Sequence, residues 1–472
     1  MNPTPSLLVL AALAGLPLAI HAQTPAIPRD ATAIYAQLCA NCHGAELQGG
    51  AGSSLIDDVW KYGADDQSLA ASIQQGRLDN GMPAFGEVLD AAQTRALIVY
   101  IREIGVRSAE RKTPVNPPKP GAVVTTATHS FRLEEVAAGL GVPWSIAFLS
   151  DNRILVTERS GALRLIENGR LNPQPIEGTP KVWATGQGGL LSVAPHPDFA
   201  TNGWIYLSYS DPGDNNLAMT AVVRGRIRDG RWVDEESLFK ASSHLYKRGG
   251  AHFGSRFVFD GKGFLFFTIG ERGTPADAQD LTRPNGKVHR IHDDGRIPVD
   301  NPFLNVPNAI PSIWSYGHRN PQGLAQHPVD GSLWEAEHGP RGGDELNRVE
   351  RGLNYGWPRI TYGMNYNGTP VTDRTSEPGL EQPVLHWTPS IAASAITYYT
   401  GDRFPQWKNN LFVASLAQQE LRRLVLDQGK VVSQEVLFKG IGRVRDVAVS
   451  PDGFIYVALE EPGRIWRLVP AN

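Results

Sequence analysis

The pattern that recurs along this chain is an apolar run, a short polar turn and a second apolar run. Residues 249–273, GGAHFGSRFVFDGKGFLFFTIGERG, show it most plainly. A strand is expected over 255–259, a turn over 260–263 and a second strand over 264–269. Apolar and aromatic residues fill both runs, and the Asp260-Gly261 pair between them is a strong hairpin signal. The same unit is readable at 144–157, 190–209, 322–337, 395–414 and 444–458, which makes six copies. One hairpin cannot bury its own faces, so stacking several around an axis is the natural solution. The fold expected over 128–472 is therefore an all-β six-bladed propeller, with the strand near 131–137 or the one at 465–468 closing the ring. A double β-sandwich would also hide the apolar faces, but it leaves the repeat unexplained.

The N-terminal part follows other periods. The apolar run at 7–20 ends in small residues at Ala19 and Ala22, so 1–22 reads as a signal peptide cleaved near Ala22 and the protein as periplasmic, although no Lys or Arg precedes the run. The run is too short to span a membrane and no other is long, so no membrane span is expected in the mature protein. Residues 31–38 put Ile34 and Leu38 on one helical face, and 90–104 do the same for Leu97, Ile101 and Ile104. A small all-α domain is expected over 30–106. Residues 107–127 follow as a semi-rigid linker, with four prolines between 107 and 124.

Net charge is −3 with both signs interspersed, so no nucleic-acid or anionic-membrane partner is expected. The 49 glycines and 35 prolines suit a turn-rich β protein. Two cysteines alone occur, Cys39 and Cys42, followed directly by His43. That spacing describes c-type haem attachment, with two thioethers and His43 as an axial iron ligand. A structural or redox cysteine pair would use the same two residues. Met82, in the loop GMPAF at 81–85, is placed to offer a thioether, with core packing as its other use. Residues 30–106 resemble a class I cytochrome c, which implies a covalent haem c ligated by His43 and Met82.

A hairpin folds its ends together, so His252 and Glu271 should meet. A carboxylate beside an imidazole fixes its tautomer and stabilises its protonated form, as a general base requires. A buried structural His–acid hydrogen bond would look the same. Polar clusters at 186–189, 317–323, 339–345 and 443–446 fall at equivalent places in their repeats, so they should converge on one mouth of the central channel. Together they bring three arginines, an amide pair and a base, a set suited to a planar polycarboxylate gripped bidentately.

With residues 249–273, the stretches IWSYGHRNPQGLA, EHGPRGGDELN, NYGWP and 443–447 resemble the soluble aldose sugar dehydrogenases that depend on pyrroloquinoline quinone (PQQ). That family includes soluble glucose dehydrogenase and sorbosone dehydrogenase-like proteins, and the likeness spans 130–470. It implies an oxidoreductase that moves hydride from a sugar or polyol C1 to PQQ, with His252 as base, Glu271 orienting it and Arg319 beside them. Gln187, Asn320, Arg443 and Arg445 match residues around cofactor and substrate, and Thr361 and Asn365 match further PQQ contacts. The Gly339 and Pro340 carbonyls match ligands of a PQQ-bound calcium. Glu345 and the Tyr355 carbonyl match a second calcium site, and Trp387 a ring near the sugar. Two positions depart from the family pattern: Ala417 stands for a lysine aimed at PQQ, and Ala251 for a polar residue before the base. Electrons would pass to the attached haem and on to a cytochrome or quinone chain; a homodimer is compatible with this reading. A calcium-dependent propeller lactonase has no use for a haem, and a non-catalytic sugar-binding propeller leaves the His252–Glu271 pair unexplained.

Overall fold

The computed structural model describes residues 28–112 and 115–471. The expected signal segment, 1–22, lies outside them. The N-terminal unit is helical. Ala31–Leu38 starts where the Asp30 carboxylate accepts from the Ala33 amide at 2.9 Å, and Asp66–Gln75 starts at Asp65, which caps the Ser68 amide at 2.9 Å. Each cap satisfies an amide that the first helical turn leaves unpaired. Ile34, Tyr35, Leu69, Ile73, Leu97 and Ile101 meet in one apolar cluster.

The last helix, Ala91–Lys112, corrects the linker boundary expected at 107. Residues 107–112 contain neither glycine nor proline, so nothing stops the helix before Pro114. Arg111 and Lys112 also lie in its last turn, where cations suit the negative end of the helix. No helix among the described residues is long and apolar enough to cross a membrane.

The rest of the chain forms six antiparallel sheets around an axis, five of four strands and one of five. Blades one to six begin with the strands Pro143–Phe148, Leu190–Pro195, Phe257–Phe259, Pro321–Gln326, Ala393–Tyr398 and Val444–Val449. Each expected hairpin supplies the first two strands of one blade. Blade six is closed by both ends of the propeller at once: Ser130–Ala138, from before blade one, pairs with the C-terminal strand Arg464–Pro470. Closure removes the free edges of an open sheet. The strand expected over 255–259 is shorter, Phe257–Phe259. Ser255 has φ 91 and cannot continue a strand.

A register shift interrupts the first strand of five blades near its start, at Pro143/Ser145, Leu190/Val193, Pro321/Gly323, Ala393/Ala395 and Val444/Asp446. In blades one to three, a hydroxyl from the second strand takes up an amide in or just before the first. Thr157 accepts from Ser145, Ser208 from Ser192 and Thr268 from Ser255. Each hydroxyl then donates to the next blade, to the carbonyls of Leu191, Ser255 and Pro321 respectively. At the axis the buried Arg256 guanidinium pairs with Asp446 at 2.9 Å and donates to the Gln322 and Ser394 carbonyls at 3.0 Å each. Asp446 also accepts from the Ile146 amide at 2.7 Å, so one ion pair ties five blades together.

Candidate active site

His252 and Glu271 sit at the two ends of the blade-three hairpin, and the fold brings them into hydrogen-bond contact through Nδ1 and Oε1. That contact leaves Nε2 as the ring nitrogen for a substrate. His252 has φ 54, a left-handed conformation that costs a non-glycine residue about 1 kcal/mol and that clusters at functional sites. Its amide donates to Gln187 Oε1 at 2.8 Å, which fixes the backbone from the blade-two side. Below it, a side chain on Gly270 would lie 2.4 Å from the His252 carbonyl and 2.9 Å from Asn320 Oδ1, so only glycine allows this approach. Burial pushes the imidazole below its ordinary pKa; the Glu271 contact opposes that and nearby Arg319 adds to it.

Arg319 donates through Nη1 to the carbonyls of His338 at 2.9 Å and Gly339 at 2.6 Å. Arg445 reaches the same group through Gln322, which accepts from Arg445 at 2.9 Å and donates to Asn320 at 3.1 Å. Arg443 and Arg445 share the Glu460 carboxylate at 2.7 and 2.5 Å. Burial alone would raise Glu460, but the two guanidiniums outweigh it and hold the group below the carboxylate range. His338 is held well below its ordinary value, first by burial and then by Arg445 and Arg319. Three buried atoms here, Glu271 Oε2, Arg319 Nε and His338 Nε2, have no partner among the described residues. Arg319 Nε, and His338 Nε2 in the tautomer that carries its proton there, can donate to a ligand carboxylate, whereas Glu271 Oε2 can only accept, as from a ligand hydroxyl.

Pro340 and Gly339 border a small cavity of about 10 Å³ that Glu337, Glu345, Tyr355 and Thr361 also line. Burial pushes Glu335 and Glu337 up to about 8, and burial with the Glu337 charge raises Glu345 well above its ordinary value. Ligand atoms of His318, Glu335 and Glu337 lie within 4.8 Å of one another. Buried carboxylates with so little compensating charge suit a hard divalent cation. Tyr355 donates its hydroxyl to the Arg348 carbonyl at 2.6 Å, so its backbone is what it has to offer.

Two expected site residues fall elsewhere. The Trp387 indole packs in the apolar core between blades four and five with Ala336, Leu346 and Val413, and donates to Gln434 at 3.0 Å. It cannot stack on a sugar at the mouth. Asn365 is exposed and spends its amide on Thr369 and Pro370 within its own turn. Sequence reasoning also passed over Arg272, His338 and Glu460. Arg272 is buried under the base-bearing loop, donates to the Ala251 and Gly249 carbonyls, and lies 3.4 Å over the Phe253 ring. Burial lowers it to about 9. Its place directly after Glu271 was the available signal.

In the helical unit, His43 Nδ1 lies 2.8 Å from the Ser53 carbonyl, which orients the ring and leaves Nε2 for an iron. Cys39 and Met82 are half-buried against the apolar cluster with Leu55, Trp60 and Phe85. Burial, then Cys42, pushes the Cys39 thiol up to about 11. A nitrogen and a thioether for the iron and two thiols for covalent attachment, Cys39 against the apolar cluster and Cys42 exposed, are the groups a c-type haem requires.

The glucose/sorbosone dehydrogenase family matches residues 140–467. The chain belongs to that family. Before the propeller, residues 26–101 match the family of cbb3-type cytochrome c oxidase subunit III, so this sugar dehydrogenase carries an N-terminal cytochrome c domain. Over 353 residues it is 43% identical to the aldose sugar dehydrogenase of Escherichia coli K12, covering 73% of this chain and 95% of that one. The apo crystal structure of the Escherichia coli enzyme superposes with a TM-score of 0.69 at 42% identity, over 72% of this chain and all of the other. The PQQ-bound aldose sugar dehydrogenase of Streptomyces coelicolor does so with a TM-score of 0.61 at 26% identity, over 75% of this dehydrogenase and all of the other.

Proposed function

We propose that this sugar dehydrogenase is an exported quinohaemoprotein that oxidises an aldose, or a related sugar or polyol, at its C1 hydroxyl. The observation that carries the reading is the contact of half-buried His252 with buried Glu271, with orphaned polar atoms of Arg319 and His338 nearby. PQQ, bound with calcium, would supply the hydride acceptor, and the c-type haem a one-electron outlet toward a cytochrome or quinone chain. His252 Nε2 takes the hydroxyl proton. Glu271 holds Nδ1–H and stabilises the imidazolium that results. Arg319 and Arg445, with Gln187 and Asn320 holding the backbone and side-chain geometry around them, grip and orient the acceptor's carboxylates. Glu460 offsets part of the arginine charge, so the pocket holds an anion without an excess of buried cations. Cys39 and Cys42 bind the haem covalently, with His43 and Met82 on its iron. The Gly339 and Pro340 carbonyls serve one calcium, and Glu345 with the Tyr355 carbonyl another.

The test is spectroscopic. Purified oxidised protein, loaded with PQQ and calcium, should show the reduced haem band when an aldose is added, and should not do so when either is left out. Failure to reduce either the haem or a soluble dye with any of a panel of aldoses would refute the proposal.

A further inference from the structure

The cytochrome domain rests on the propeller face that carries the candidate site. Its helix Ala91–Lys112 turns one part toward its own apolar core and another, Glu103, Val106, Arg107 and Glu110, toward a cavity of about 880 Å³. The far side of that cavity is propeller: Pro340, Ser390, Ala417, Gln418 and Lys439. Pro340 also lines the small cavity that Arg319 borders, and Gly339, the residue before it, accepts from Arg319, so the two cavities meet at Pro340.

The helix is fastened there by several independent contacts. The buried Glu103 carboxylate takes both Nε and Nη2 of Arg341, at 2.8 and 2.6 Å. Arg95 donates to the Tyr362 carbonyl at 2.6 Å, and Lys439 pairs with Glu110 at 2.7 Å. Met364, a propeller residue, is fully buried in the cytochrome's apolar cluster. At Gly342 a side chain would lie 3.0 Å from Val99 of the helix, so this closeness depends on a glycine. Arg107 lines the cavity, where its donors can meet sugar hydroxyls.

From this arrangement we propose that the cytochrome domain is a fixed wall of the catalytic cavity and restricts it to small sugars, admitting monosaccharides and turning away oligosaccharides. The inference rests on the sugar-dehydrogenase reading above. A bare propeller mouth would leave the sugar's far end in open solvent. Here any extension of the ring toward the helix meets Val106 and Arg107, and small-molecule sites of about 300–1,000 Å³ are selective because they enclose their ligand.

The experiment uses full-length protein carrying haem, PQQ and calcium, with dye-coupled kcat/KM measured on glucose and on maltotriose. Wild type should prefer glucose. The double variant Val106→Ala/Arg107→Ala, which trims the wall, should raise the maltotriose-to-glucose ratio at least fivefold. Glu103→Arg, which breaks the anchor, should raise it too, and Glu103→Arg/Arg341→Glu, which restores opposite charges, should return it toward wild type. Amide hydrogen exchange over 362–368 reads the docking without any turnover. It should quicken in Glu103→Arg and slow again in the charge-swapped pair. A ratio unmoved by trimming the wall, or exchange unmoved by Glu103→Arg, overturns the proposal. Wild-type protein that oxidises neither sugar refutes the sugar-oxidation reading and the size restriction with it; exchange then reports separately whether the docking stands.

Discussion

As the proposed base, His252 would have to be neutral at rest and charged in the transition state, and its surroundings bear on both. Burial lowers its pKa, so the ring is unprotonated through neutral pH and the acid limb of kcat/KM should fall below pH 6.5. Glu271→Gln removes the contact that opposes this lowering. The limb should then move to still lower pH while the plateau drops, because the imidazolium loses its partner; a pH–rate profile checks both. His252→Ala should cut turnover by about 10²–10⁴, the usual worth of a positioned base, while PQQ binding followed by fluorescence stays near wild type. This pair was legible in the sequence because a hairpin returns its ends to one place whatever the rest of the fold does. Trp387 was not. A strand shows which residues alternate but not which face a neighbouring blade will cover, and its indole went to the core. Glu460 escaped because its role exists only once Arg443 and Arg445 stand beside it across a strand pair.

At the scale of elements, the six hairpins were readable from apolar periodicity, whereas what joins them was not. Three of the links from blade to blade are single hydroxyls, and nothing distinguishes Thr157, Ser208 or Thr268 from any strand serine or threonine. The Arg256–Asp446 pair joins residues 190 positions apart and is equally silent in the sequence. Its removal should be costly: Arg256→Met leaves Asp446 buried and unpaired, a change worth about 3–5 kcal/mol. A fall in the thermal midpoint of the propeller, followed by near-ultraviolet circular dichroism, measures it. Replacing both partners by apolar residues of similar volume should recover much of that loss. The helix Ala91–Lys112 shows the converse: the prolines between 107 and 124 promised a linker from 107, and the helix runs on to Lys112.

For the molecule as a whole, the sequence announced two domains in order and gave no sign that they touch. Glu103 and Arg341 are 238 positions apart and each looks like an ordinary surface charge. The haem is the feature whose presence is simplest to check. Cys39→Ser or Cys42→Ser should leave one thioether or none, seen as haem lost, or a shifted haemochrome band, after denaturation. Ring closure offers another test. A chain ending before Arg464 leaves Ser130–Ala138 without its partner and exposes a free edge, so it should self-associate on size exclusion while the full chain does not. The same pairing has a consequence in time. The closing strand precedes blade one, with only the short strand Val123–Thr125 ahead of it, and its partner follows blade six, so the ring stays open until Arg464–Pro470 has been made. The helical unit, complete by Lys112, is finished while most of the blades are still unmade. On the reading proposed above, a haem could therefore be joined to Cys39 and Cys42 before closure, and the wall would stand before there is a cavity for it to bound.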